Sequence, residues 1–295
     1  MKLAVTLTNK ASIEPLIKAG SDIFIIGIDH LSHRMNTTFS VEEFITLVET
    51  IKRYDKEIYV NLNRIVHDED LRLLEDTIKA IKTLPIDGII YTDLAVFMLA
   101  EAFGLKERLI YAPETYSTHS YDLAFWSQEK IKSIVLSREV TLDEIEKISE
   151  KASLPIVFYG HGYINMFHSR RPLIENFFKH TGDEDSNEIV DRRNLTIVEE
   201  IRDEHYPIYQ DEYGTHIFRA KPRESFSVLN RLKNVLDVFV IDSVLLDEKE
   251  FIEAVKNYRL ALENKLGQDV IDDYKEAYDQ GFYFKKTQSI KGETS

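Results

Sequence analysis

Leu154 to Leu173, LPIVFYGHGYINMFHSRRPL, gathers more chemistry than any other stretch of the chain. His161 lies between Gly160 and Gly162, directly after the apolar run Pro155 to Tyr159, whose β-branched and aromatic residues predict a buried strand. The two glycines let the backbone turn sharply and approach a ligand closely, and a strand behind them is a rigid mount. Asn165, His168, Arg170 and Arg171 follow. A histidine there can move a proton, and arginines bind carboxylate or phosphate through forked N–H donors. The same residues also fit a glycine-rich loop with solvated basic side chains, and the local pattern does not separate the two readings.

Holding such groups in place takes a scaffold, and strand and helix signals alternate along the chain. Leu3–Leu7, Asp22–Ile28, Glu57–Leu62, Gly88–Tyr91, Arg108–Ala112, Lys132–Leu136, Pro155–Tyr159 and Val235–Ile241 read as strands. Ser40 with Glu43, and Thr141 with Glu144, are capping boxes that open two of the intervening helices. Evenly sized β/α units of this kind predict an α/β fold, a (β/α)8 TIM-type barrel, in preference to an open doubly wound sheet. In a barrel the strand ends share one mouth, so Asn61, Asn63, Arg64, Asp93, Glu114, Arg138, Glu139, His161 and Asp242 should converge. Each alone could equally be a cap or a structural hydrogen-bonding group.

The pattern divides the chain into barrel units one to seven over 1–175, an inserted loop and β-ribbon over 176–230, the last barrel unit over 231–264, and a C-terminal extension over 265–295. Within the insert, residues 181–194 are polar and aperiodic, and Tyr206–Phe218 alternates aromatic and polar residues about Gly214, as a small ribbon does. The extension carries Tyr274, Tyr278, Phe282, Tyr283 and Phe284, which could dock on the barrel or on a partner, and its far end is expected to be disordered.

The chain has 295 residues and no cysteine, which removes disulfides, thiolate nucleophiles and cysteine ligation of iron or zinc. Its 37 Lys plus Arg against 51 Asp plus Glu give a net charge of −14, which argues against holding nucleic acid by bulk electrostatics alone. Local pairs such as Arg170-Arg171 or Arg192-Arg193 can still meet phosphates. No apolar run is long enough for a signal-peptide core or a membrane span, so a cytoplasmic protein without a membrane partner is expected.

Several stretches together resemble one family. They are Ala19-Gly20-Ser21-Asp22 with Arg34 and Phe39-Ser40, Tyr59-Val60-Asn61-Leu62-Asn63 with His67-Asp68-Glu69-Asp70-Leu71, and Val135-Leu136-Ser137-Arg138-Glu139-Val140-Thr141. His161-Gly162 and Asp211-Glu212-Tyr213-Gly214-Thr215-His216-Ile217-Phe218 complete the set. In order and spacing these are similar to family thirty-two of the unclassified peptidases, the collagenase-like peptidases. The resemblance implies a barrel-like catalytic domain. Some members are collagenase-like proteases; others act in oxygen-independent or prephenate-dependent hydroxylation of ubiquinone precursors, a ribosomal RNA cytidine or the wobble uridine of tRNA.

Hydroxylation-linked members typically hold an iron–sulfur cluster on cysteines whose positions fall here near Asn165, Pro172, Asn187 and Asp191. No cofactor is therefore expected in this chain, and the cluster is expected only in a cysteine-bearing paralogue. The form His-Gly-Tyr followed by Asn-Met-Phe-His-Ser-Arg-Arg-Pro resembles the cysteine-free member of a Firmicutes pair linked to tRNA 5-hydroxyuridine. The implied role is in prephenate-dependent 5-hydroxylation of the tRNA wobble uridine, with that paralogue and tRNA as partners and prephenate as candidate co-substrate. His161, Glu139 and Arg138 would be catalytic, Arg34, Asn61, Asn63, Glu114 and Arg170 would bind substrate, and no metal site is expected. Two alternatives stand beside it: a collagenase-like peptidase using His161 with Glu139 or Asp93 as base, although neither a Ser–His–Asp order nor a zinc spacing is evident, and a catalytically silent scaffold for the paralogue.

Overall fold

The computed structural model of the protein describes residues 1–182, 193–199 and 203–285. Most of the polar loop at 181–194 and the end of the extension, where disorder is expected, lie outside the described residues, as do Asn187 and Asp191. Strands β1 (Lys2–Thr6) and β2 (Ile23–Ile28) pair in parallel, and a short strand, β3 (Thr38–Phe39), adds to the end of β2. Then β4 (Glu57–Leu62), β5 (Gly88–Tyr91), β6 (Leu109–Tyr111), β7 (Ser133–Val135), β8 (Ile156–His161) and, much later in the chain, β13 (Val238–Ile241) follow in order. β13 pairs in parallel with β1, Lys2 opposite Val238 and Val5 opposite Ile241, so the sheet closes into an eight-stranded TIM-type barrel.

Helices α1 (Ile13–Ala19), α2 (Val41–Lys52), α3 (Leu71–Lys82), α4 (Leu94–Ala102), α5 (Ser120–Gln128) and α6 (Leu142–Ser149) connect consecutive barrel strands. Both capping boxes form: the Glu43 N–H donates to Ser40 Oγ at 3.2 Å while Ser40 N–H donates to Glu43 Oε2 at 2.9 Å, and Thr141 and Glu144 repeat the exchange. Strand alternation sorts two apolar layers. Ala4, Ile25, Val157 and Val240 fill the barrel interior, whereas Leu3, Phe24, Phe158 and Phe239 belong to the layer packed under the helices.

The insert is a sheet of its own. It begins at β9 (Asn165–Ser169), ahead of the boundary expected at 176, and runs through β10 (Leu195–Glu199), β11 (Glu204–Asp211) and β12 (Gly214–Phe218) in the antiparallel order β10-β11-β12-β9. The expected ribbon is its β11–β12 hairpin. Helix α7 (Leu173–Thr181) is fastened to it where the Ile174 N–H donates to Gln210 Oε1 at 3.0 Å and the Leu173 N–H to Thr215 Oγ1 at 3.0 Å. A short helix α8 (Leu229–Leu232), then α9 (Glu248–Leu262) and α10 (Gln268–Ala277), complete the described elements. The extension docks on the barrel: Tyr278 stacks on His161 with centroids 5.1 Å apart, and Tyr283 Oη lies 2.6 Å from Ser225 Oγ. No helix among the described residues is long and apolar enough to cross a membrane.

One local departure from regular pairing decides where His161 goes. Along β8 and β13, Tyr159 faces Val240 and His161 faces Ile241, so Gly160 has no opposite number and forms a bulge. A bulge inverts the in–out alternation beyond it. Gly160 is required there, because a Cβ would come within 1.9 Å of Phe239 Cε2 and 2.3 Å of Cζ. Gly160→Ala is expected to cost about 1–3 kcal/mol by forcing the Phe239 ring off its seat; a urea midpoint equal to that of the unaltered protein would refute this.

Candidate functional site at the barrel mouth

Ends of β4, β6, β7, β8 and β13 and the loops beyond them build a polar mouth. Strand alternation turns Tyr59 into the barrel, and Asn61 and Asn63 continue that side of the chain. Asn61 is buried; its Nδ2 donates to Met35 Sδ at 3.1 Å and its Oδ1 has no hydrogen bond among the described residues. Asn63 grips the loop after β2, accepting from His33 N–H at 3.0 Å and donating to the His33 carbonyl at 3.4 Å. That loop presents Arg34, whose side chain is 7% exposed and ion-paired with Glu114 from the loop after β6.

Arg138, just past β7, stacks its guanidinium over the Tyr159 ring at 4.1 Å, lies 3.6 Å from Asp242 Oδ2 and reaches the Tyr163 carbonyl at 3.4 Å. Thr6 and Ser243 fix the acid, Thr6 Oγ1 donating to Asp242 Oδ1 at 3.3 Å and accepting from Ser243 N–H at 2.7 Å. Burial, and then the facing charge of Arg138, bring Arg34 down to about 10. Burial also raises the Asp242 carboxyl above its ordinary value, against the pull of Arg138. Asn63, Glu114, Arg138 and Tyr159 share a cavity of about 20 Å3, room for roughly one water molecule. Chemically, the mouth offers two guanidiniums, Arg138 lining the cavity and Arg34 behind Glu114, groups suited to holding an anion with more than one charged oxygen pair.

Five of the expected site residues therefore meet: Arg34, Asn61, Asn63, Glu114 and Arg138, with Asp242 beside them. Three do not. His161 is displaced by the Gly160 bulge into the layer outside the barrel, where Nδ1 lies 3.2 Å from Tyr258 Oη on α9 and Tyr258, Tyr274 and Tyr278 surround the ring. Burial lowers it to about 3, so at neutral pH it is an uncharged packing residue. Arg170 is exposed at the end of β9, on the side sheet. Glu139 is half-buried, its backbone N–H donating to Ser137 Oγ at 3.3 Å, and does not line the cavity. Asp93 caps α4, accepting from Ala95 N–H at 2.8 Å and Val66 N–H at 3.0 Å, and Arg64 is spent on Asp70 and the His30 carbonyl.

Two groups that hold the mouth together escape a reading of sequence. Arg223, 1% exposed, donates to the Tyr159 carbonyl at 3.0 Å and to the Arg138 carbonyl, with its guanidinium between Phe158 and Tyr283. It fastens both halves of the Arg138–Tyr159 stack, yet sits in a stretch with no periodicity; the only signal is a run of polar residues between Pro222 and Phe226. The second is a histidine cluster that seats the side sheet on the mouth. His33 meets His168 edge-on at 4.9 Å and His216 at 5.8 Å, and the last two stack at 4.7 Å. Arg193 adds a bond to the Met35 carbonyl at 3.0 Å, and His30 N–H donates to Tyr213 Oη at 2.9 Å.

The donor set does not fit an iron–sulfur cluster. Asn165 spends its Nδ2 on the Phe167 and Ile217 carbonyls, at 3.1 and 3.2 Å, and Pro172 has no ligating group. Among the described residues no group of three or more histidines and carboxylates is arranged to hold a metal ion.

The sequence is 30% identical to tRNA hydroxylation protein P2 of Bacillus subtilis (strain 168), covering 97% of this chain and 98% of that one. It is 28% identical to tRNA hydroxylation protein P1 of the same organism over 61% of this chain, which spans 42% of that relative. The solved structure of the U32 peptidase Mk0906 superposes with a TM-score of 0.51 over 82% of this chain and 92% of its own, at 11% identity, a likeness of fold. Residues 8–291 match the model of Peptidase family U32, and with nearly its whole length so matched, this chain belongs to that family.

Proposed function

We propose that this protein is a component of tRNA wobble-uridine 5-hydroxylation, working with a cysteine-bearing paralogue and using prephenate as co-substrate. The observation that carries the reading is the pairing of Arg34 and Arg138 at one mouth, in a chain that matches a tRNA hydroxylation protein along its full length. Prephenate carries two carboxylates, and each guanidinium offers a fork that fits one. The chain's own part is to bind and orient that anion: Arg138 is held by Tyr159, Asp242 and Arg223, and Asn63 lines the cavity beside it. Redox chemistry belongs to a cluster carried by the paralogue, since this chain has no cysteine to ligate one. With a net charge of −14, it leaves most phosphate contacts with tRNA to that partner as well.

A hydrolase reading asks for a nucleophile–base pair at the mouth, and His161, its natural candidate, faces the other way. The test is mass spectrometry of tRNA nucleosides from cells lacking the gene, in a background without redundant pathways. Loss of 5-hydroxyuridine derivatives, restored when the gene is returned, is expected. Unchanged nucleosides would overturn the proposal.

A further inference from the structure

We infer that Glu114 is an internal stand-in for the ligand's carboxylate: it holds Arg34 in the empty state and sets the mouth's selectivity for ligands with two separate carboxylates. The inference rests on the anion-binding reading of the mouth just given, and it gives Glu114 a role opposite to that of a ligand-binding group.

Arg34 is almost enclosed, and among the described residues Glu114 is the only acid it pairs with. The same carboxylate lies 4.0 Å from His33 Nε2, and His33, 4% exposed, has no hydrogen bond at either ring nitrogen among the described residues. A buried cation and a buried imidazole thus point at one position that a carboxylate fills, and here the chain fills it with its own. Neither holder is relaxed. Arg34 has φ 54°, Glu114 φ 66° and Ser117, in the same loop as Glu114, φ 67°, all in the left-handed region that side chains other than glycine's disfavour. The Glu114 side chain is 33% exposed and borders the cavity, so it has solvent to swing into.

Arg34, Arg138, Glu114 and Asp242 sum to zero formal charge, so an arriving anion gains little until Glu114 leaves. A ligand with one carboxylate exchanges like for like at Arg34 and gains nothing. One with two carboxylates takes Arg34 from Glu114 and pairs with Arg138 as well, so only it displaces the stand-in. Occupancy of the mouth is thereby coupled to release of the loop after β6.

The test is calorimetric titration of the full-length chain with prephenate and with phenylpyruvate, which lacks the second carboxylate, for the unaltered protein, Glu114→Gln and Arg34→Met. Glu114→Gln is expected to bind prephenate at least fivefold more tightly and to gain measurable phenylpyruvate binding; Arg34→Met is expected to bind neither. Glu114→Asp, which keeps the charge but shortens the reach to Arg34, should behave like Glu114→Gln and serves if that variant does not fold. Prephenate binding that is equal or weaker in the Glu114 variants overturns the stand-in and leaves the anion site intact. No prephenate binding by any form overturns the anion site itself.

Discussion

Arg138→Lys, as the sole copy in the cell, is expected to lower tRNA 5-hydroxyuridine at least tenfold while the purified protein still folds. Lysine keeps a positive charge beside Asp242, so the buried acid is not left without a counterion, which would cost about 3–5 kcal/mol. It cannot reproduce the planar stack on Tyr159, centred 4.1 Å away, or the fork that meets a carboxylate with parallel N–H donors. Charge-assisted hydrogen bonds lost from a ligand are worth about 1.5–3 kcal/mol, or roughly 10- to 150-fold in binding or rate. Nucleoside mass spectrometry reads the loss and a thermal melt reads the fold. A folded Arg138→Lys protein that supports full hydroxylation would sink the role assigned to this arginine and, with it, the proposed chemistry of the mouth.

The second large effect is on stability and depends on pH. His33, His161, His168 and His216 are all driven below the ordinary histidine value, in each case first by burial. Around the cluster of three, Arg34, Arg64 and Arg193 add cationic opposition, while Asp211, whose Oδ1 lies 3.3 Å from His216 Nε2, pulls the other way. The rings around His161 are those of Tyr258, Tyr274 and Tyr278, and burial alone accounts for its shift. A ring lowered in the folded state contributes stability that is fully present above the unfolded value, near 6.5, and is lost as pH falls toward the folded value. Below that pH the unfolded chain takes up protons that the folded chain refuses. Each ring that stays neutral costs up to about 1.4 kcal/mol per pH unit below the unfolded value, and His161, lowered to about 3, contributes close to that between pH 6 and 5, with His33 adding in the same direction. Urea midpoints at pH 7.5, 6.5, 5.5 and 5 should therefore fall steeply, and His161→Phe should flatten the slope by about one proton. A midpoint independent of pH over this range would show that the rings are charged or exposed in the folded protein.

The barrel was legible because its strands are short apolar runs ending in polar residues, and those limits survive folding: Gly88–Tyr91 and Glu57–Leu62 are strands as read. Asn61, Asn63, Glu114 and Arg138 were legible for the same reason, since a residue just past a barrel strand has one mouth to face; Arg34, on the loop well beyond β2, was marked out by the family resemblance. His161 misled because the inference assumed unbroken alternation; a glycine inside an apolar strand is itself a bulge signal, and here Gly160 was one. Arg170 misled because Asn165–Ser169, polar and too short for a clear period, gave no sign of joining a second sheet. Pairings across long stretches of chain, such as His33 with His168 and His216 or Arg223 with Arg138, leave no local trace. The histidine pairings arise only when the side sheet packs on the loop after β2, and the Arg223 bond only when the chain returns past the end of β7.

The tie from Tyr283 through Arg223 to Arg138 also sets an order of events during synthesis. A ribosome adding about 5–20 residues per second releases Arg138 roughly 7–30 s before the tyrosine that secures its holder. Until then the Leu142 N–H, which donates to the Tyr283 carbonyl at 3.0 Å, lacks that acceptor, and Arg223, the donor to the Arg138 carbonyl, lacks the ring it packs against. The barrel can close around its eighth strand before the mouth is set. All eight barrel strands are made before Tyr283, so a nascent or C-terminally clipped copy is expected to pair its sheet without the Arg223–Tyr283 packing that steadies the Arg138 carbonyl.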